Sequence, residues 1–543
     1  MTAIDGDFVL RSTNIFTMDD HSAVHDGAVL VRDGRIESLL PADAQTPYPV
    51  VDVGDRPVLP GFVDPHIHLE MSSAALWGAV DCHIPPCHSI DALVTQLREH
   101  EHLRDARGGW LVGQGGLFSD RRFAEKRMPD RHDLDKVSTS YPIAVRLGGH
   151  ITVVNTLGLE LATEHGLPTS GDAYVRLDEH GQPNGILHEM FYALPVPDLT
   201  EEQRRNGLRE TAWKYLIERG VTAIGEMSNS VAGLHNIADG ARSGEIPLWT
   251  EAFVWVPGTM SLDDVMRPEH RAEVLPESES GKFNIRGIKV FVDGGISAAG
   301  AALLRPYLKE RDGKPNMGRM AYTFEQLCDM VRRADEQGLQ IAAHVNGERS
   351  QRMLCDAAVE VRGDATGFPQ VRLEHGGNML TELETFDYWR KASAMPVPQA
   401  PGIWTVSSFV PEYTGEYMRT ALRPFRTMLD HGWDISSSSD ASGSENLNFN
   451  PLFGVQAAVV RESCIGEVIN ADERVSVTEA LRMHTIAAAK ALGVEHELGS
   501  IEPGKRADLA VLGEDPRVCD PKKIAGIDVD HVFINGRAVV SRN

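Results

Sequence analysis

The chain has 543 residues, and 53 Lys and Arg against 78 Asp and Glu leave a formal net charge of -25. Such a surface repels phosphate backbones and anionic membranes, so the expected partner is a small-molecule substrate, with no nucleic acid and no membrane. An apolar run of about 18 residues is absent, MTAIDGDFVLRS does not read as a signal peptide, and the six scattered cysteines fit free thiols in a reducing cytoplasm, the expected location.

Residues 7–58 read as short half-buried strands punctuated by glycine (FVLRSTNIFT, GAVLVRDGRIESLL, VVDVGDRPVLPG), and 499–541 repeat the pattern. The two ends, 1–58 and 495–543, are expected to form one small β-sandwich domain with 59–494 inserted between them. In VLPGFVDPHIHLE an apolar run ends in His66 and His68, and the alternation of extended chain points both imidazoles the same way. CHIPPCH (82–88) offers two further Cys–His pairs of zinc-ligand type. Pro85 and Pro86 forbid a helix there and no second pair follows at finger spacing, so Cys82, His83, Cys87 and His88 read as a structural loop.

The stretch of about 72–200 is long for one crossover and is expected to be an insertion over the mouth of the central fold. Gln114 and Gly115 end a strand-like run there without an assignable role. His150 in RLGGHITVVN and Glu189 in GILHEM are candidates for substrate contact or for loop ordering. Glu226, in VTAIGEMSN, stands between the pocket and a structural role in the same way. Beyond it, apolar runs alternate with helical patterns: GIKVFVDGG (287–295), LQIAAHVNG (339–347), VRLEHGG (371–377) and DISSSSDAS (434–442). TFEQLCDMVRRADEQG sets Phe324, Leu327, Met330, Val331 and Ala334 on one helical face, and 476–493 reads as a helix opened by a Ser476–Glu479 capping box and stopped at Gly493. GGISAAGAA (294–302) lacks a dinucleotide fingerprint and reads as a loop that lets backbone approach a site. Trp404, Phe409, Tyr413 and Tyr417 form an aromatic wall or pack a lid. Alternation on this scale predicts an α/β chain with a parallel sheet, a (β/α)8 TIM barrel over 59–494.

Lys289, His344, His375 and Asp440 each sit in or just after one of these apolar runs, where a barrel delivers functional groups. A single strand histidine is commonly a satisfied core residue. An ammonium inside GIKVFV is harder to dismiss, because burying it without a partner is expensive.

The order HxH, Lys, His, His, Asp resembles the amidohydrolase superfamily over nearly the whole chain. PGFVDPHIHLE looks like its first-strand motif and GSIEPGKRADLAVL like its return into the β domain. GIKVFVDGG with AALLRPY, RLEHGG, SSDAS and NPLFGVQAAVVRE resemble the branch containing N-substituted formamide deformylases and related metal-dependent hydrolases. The resemblance implies one or two divalent metals, usually zinc. His66, His68, His344 and His375 would be ligands, carboxylated Lys289 would bridge two zinc ions, and Asp440 would be both ligand and catalytic proton shuttle. Imidazole and carboxylate also accept iron, manganese, cobalt or nickel. Hydroxide from a water whose pKa has fallen to about 7 would attack a carbonyl, with Asp440 passing the proton to the leaving nitrogen.

The implied activity is hydrolysis of a non-peptide carbon–nitrogen bond in an N-acyl or N-substituted amide. A deaminase, or a carbamate, ester or lactone hydrolase on the same site, is the first alternative; Lys289 argues against the deaminases of this superfamily, which usually lack a lysine ligand. A non-catalytic metal-binding protein of the same fold is the second, and the complete set of six site residues argues against it. A homodimer is common in the family. SSSSDAS departs from the usual Gly-Ser-Asp, and Arg506 in GKRADLAVL is expected to be without consequence.

Overall fold

A computed structural model describes residues 6–148, 151–167, 175–188, 190–191, 194–311, 313–363, 371–443 and 445–542. His150 and Glu189 lie outside them. By contact the chain divides into two compact units, Met1–His68 with Ala212–Asp440 and Asn448–Asn543, and Leu69–Thr211 with Ala441–Leu447.

The first unit is built on seven parallel strands that pair in chain order: β1 (Phe62–Ile67), β2 (Val221–Ser228), β3 (Trp249–Trp255), β4 (Phe283–Phe291), β5 (Gln340–His344), β6 (Val371–Glu374) and β7 (Met395–Val397). Parallel pairing requires a crossover after each strand, and the longest crossover helices are Val231–Ser243, Phe324–Glu336 and Glu348–Arg362. In Phe324–Glu336 the expected Leu327, Met330, Val331 and Ala334 are buried, and Thr323 with Gln326 forms the capping box. Parallel crossovers bring every carboxyl-terminal strand end to one side, where His66, Lys289 and His344 lie.

Seven strands form the ladder where eight were expected. The run 434–442 sends its amides to four separate acceptors: Ser437 to the Met483 carbonyl (2.8 Å), Ser438 to Pro398 (3.1 Å), Ser439 to the Asp64 carboxylate (3.0 Å) and Asp440 to His66 (2.9 Å). The segment thus touches both the exit of β7 and the exit of β1, and the sheet is nearly closed without an eighth ladder strand. The expected helix 476–493 is two helices, Val477–Met483 and Ile486–Leu492. The capping box and the left-handed Gly493 stop are present. The break falls where the Met483 and His484 carbonyls leave the helix to accept from Ser437 and Val63.

Both chain ends form one eight-stranded sheet, joined where Leu509–Leu512 pairs with Val58–Pro60. The ladder is continuous, one sheet where a sandwich of two was expected. Along it, about three strand spacings of 4.8 Å separate Phe8 from Phe533. Their rings nevertheless stack at 5.1 Å, so the sheet curls around a core that includes Val29, Val31, Val58, Leu509 and Val511. Arg506 is not inert: it donates to the Gly281 carbonyl (2.6 Å) and lies 5.1 Å from the Trp249 ring centre, tying this sheet to β3.

The second unit carries a six-stranded sheet of its own, including Leu111–Gly115 and Ile143–Leu147. Cys82 and Cys87 are buried in the core on one side of it with Ile90, Leu93 and Phe123. His83 is held by Asp81 (2.7 Å) and by the Gly443 carbonyl (3.2 Å). The motif is a packed turn, and all six cysteines are free. Among the described residues no helix is long and apolar enough to cross a membrane.

Truncation of Phe8 to alanine empties a fully buried site and is expected to destabilise the protein by about 3–5 kcal/mol, read as a lower midpoint of thermal unfolding than the parent chain.

Candidate metal centre

His66 is fully buried at the end of β1. Its Nδ1 lies 2.6 Å from Glu374 Oε2, so Nδ1 carries the proton and donates to the carboxylate. Its Nε2 lone pair therefore faces the interior. His68, two residues on, donates from Nδ1 to the Met227 carbonyl (3.0 Å) and frees its own Nε2 in the same way. Both Nε2 atoms are 3.4 Å from Asp440 Oδ1. Two ring nitrogens and a carboxylate oxygen converge there. His66, His68 and Asp440 form the one group of three potential ligands among the described residues, their donor atoms within 4.8 Å of one another. A borderline divalent cation fits this donor set.

Lys289, on β4, is 1 % exposed, with Nζ 3.4 Å from His66 Nε2. Burial pulls its amine down to about 8, against the opposing charges of Glu374 and Asp440. His375 follows β6 directly, and its Nδ1 donates to Gln399 Oε1 (2.8 Å). The Gln399 amide nitrogen is spent on the Val397 carbonyl and Ser438 Oγ, both at 2.9 Å, which fixes that orientation. The His375 ring lies 5.6 Å from that of His66 and 4.4 Å from that of His344. His344 Nε2 accepts from the Asn346 amide at 3.0 Å and so stands apart from the three-ligand group. Burial drives His66 and His344 well below the ordinary imidazole range and lowers His375 as well, which keeps these rings neutral. Burial works against the Asp440 carboxylate, but the surrounding histidines outweigh it and hold it ionised.

Of the six expected ligands, His66, His68 and Asp440 converge on one point, while Lys289, His344 and His375 neighbour them. Glu226, on β2, is fully buried; it pairs with Ile67, on the face turned away from His66 and His68.

Several partners escaped the sequence reading. Glu374, wholly buried, takes two bonds from Arg372, Nε to Oε1 at 2.7 Å and Nη2 to Oε2 at 3.3 Å. Arg372 also donates to the Pro65 and Ala491 carbonyls and lies 4.7 Å from the Phe253 ring centre. Asp64 accepts from the His66 and Ser439 amides, and burial pushes its carboxyl up to about 6. Only Asp64 had an early signal, its place within GFVDPHIH. Replacing Glu374 with glutamine keeps the shape but removes the anion that orients His66. Zinc affinity is expected to fall about 10- to 100-fold in a chelator competition.

Comparison with known proteins agrees with this geometry. The profile described as Amidohydrolase family matches residues 49–540. The chain is 28% identical to the N-substituted formamide deformylase of Arthrobacter pascens, over 98% of this chain and 97% of that protein. It is 30% identical to a 5-methylthioadenosine/S-adenosylhomocysteine deaminase of Caldanaerobacter subterraneus over 23% of this chain and 30% of that one. Among solved structures, an uncharacterized metal-dependent hydrolase from Pyrococcus horikoshii superposes with a TM-score of 0.72 at 21% identity, covering 95% of this chain and 99% of that one. A match over residues 49–540 takes in part of the terminal sheet, the parallel strands and the candidate ligands together, and the chain belongs to the amidohydrolase family.

Proposed function

We propose that this protein hydrolyses a non-peptide carbon–nitrogen bond, in an N-acyl or N-substituted amide. The observation that carries the reading is the convergence of His66 Nε2, His68 Nε2 and Asp440 Oδ1 beside buried Lys289. The similarity to a formamide deformylase along the full chain supports it. His66, His68 and Asp440 would hold one divalent ion, with zinc the first choice. When bound, such an ion lowers the pKa of a coordinated water towards neutrality and polarises a carbonyl oxygen.

The chain's own groups supply the rest. Asp440, ionised and reaching both histidines, accepts a proton from the attacking water and returns it to the nitrogen that leaves. Glu374 keeps His66 in the tautomer with its Nε2 lone pair inward. Lys289, with its amine lowered to about 8 by burial, has a larger share of free base near neutral pH than an exposed lysine. That form adds carbon dioxide and releases one proton, leaving an anionic two-oxygen head. The head would hold a second ion, for which His375 and His344 are the candidate ligands, His344 by exchanging its bond from the Asn346 amide for the ion. Residues 435–440 would then occupy the eighth position of a (β/α)8 barrel.

A deaminase is the second reading. The short similarity to a deaminase favours it. Product analysis separates the two, because an amidase releases an amine and a carboxylate whereas a deaminase releases ammonia. Asp440→Asn is expected to lower kcat by about 100-fold or more while the ion stays bound, measured as amine release beside elemental analysis of the same sample. Full turnover in that variant would remove Asp440 from the proton path.

A further inference from the structure

Phe291 is the one phenylalanine among the described residues that is exposed, at 37 %. It closes β4 two residues beyond Lys289, so the two side chains share the interior face. In the parallel ladder it lies beside His344. Its ring is 4.9 Å from the His344 ring and 5.0 Å from Trp255, which it meets at 83°. Trp255 in turn stands 5.7 Å from the His68 ring. The two aromatic rings therefore form an arc that runs from His68 to His344 along the metal centre. An open ring face in water is unfavourable unless something apolar covers it, and a barrel binds its ligand at this end of the strands.

We propose that Phe291, seated against Trp255, is a specificity-determining residue and that it takes a flat apolar group, aryl or arylalkyl, carried by the substrate beside the scissile bond. The proposal rests on the amide-hydrolysis reading above. Aromatic pairs of this kind prefer edge-to-face or offset contacts, and Phe291 is the exposed member of the arc.

The test uses the full-length, zinc-loaded protein with N-benzylacetamide and N-methylacetamide. The parent chain should prefer the benzyl compound by about tenfold or more in kcat/KM, and Phe291→Ala should reduce that preference to about threefold or less. Phe291→Leu keeps apolar bulk without the ring face and should fall between the two. It decides the matter if the alanine variant fails to fold. A preference that survives both substitutions, or a parent chain that favours the methyl compound, overturns the proposal. If neither amide is cleaved, the hydrolysis reading fails on its own. The platform is then read by calorimetry, as tighter binding of N-benzylacetamide that Phe291→Ala abolishes, and equal binding by both proteins overturns it.

Discussion

The site depends on one buried ion pair. Arg372 and Glu374 are both fully buried on β6, and separating such a pair by removing one partner costs about 3–5 kcal/mol. Nothing of Arg372 is idle: it grips Glu374, two backbone carbonyls and an aromatic face. Apolar residues of the same volume would stabilise a core at least as well, so the pair is better understood through what it positions. It presents one carboxylate oxygen to His66 Nδ1 at 2.6 Å, and that single bond decides which imidazole nitrogen faces the centre.

Backbone strain works alongside it. His375 and Asp440 both adopt left-handed φ, +73° and +49°, which is uncommon for residues with a Cβ. Each follows extended chain directly. At His375 the reversal turns the imidazole toward the place where Glu374 already points, so two neighbouring residues serve one site. At Asp440 it accompanies the amide bond to the His66 carbonyl. Such conformations cost of order 1–3 kcal/mol and persist where the surrounding structure over-determines them. Here the four acceptors along 437–440 supply that constraint.

Most of the centre was legible because its members break local rules. A lysine in GIKVFV and two histidines at the close of an apolar run are conspicuous in a strand pattern. Glu374 was hidden by the same alternation that made His66 and His68 readable, since a residue adjacent to a ligand is assigned to the opposite face. Only the φ of His375 undoes that assignment. The division of 476–493 into two helices was hidden too, because its cause lies in Val63 and Ser437, far away in sequence. The serine run 434–442 has the composition of a strand edge, yet its amides are distributed among tertiary partners that no periodicity records. Strands as short as Val80–Asp81, in the second unit, fall below what a repeat of two can show.

We propose an ion held by His66, His68 and Asp440 and a second beside Lys289 in a carboxylated form. Elemental analysis of the chain purified without added metal or chelator tests this most directly. The account predicts about two divalent ions per chain, the stoichiometry of a bridged site. A chain that holds none, and takes up none on dialysis against zinc or manganese, would contradict it.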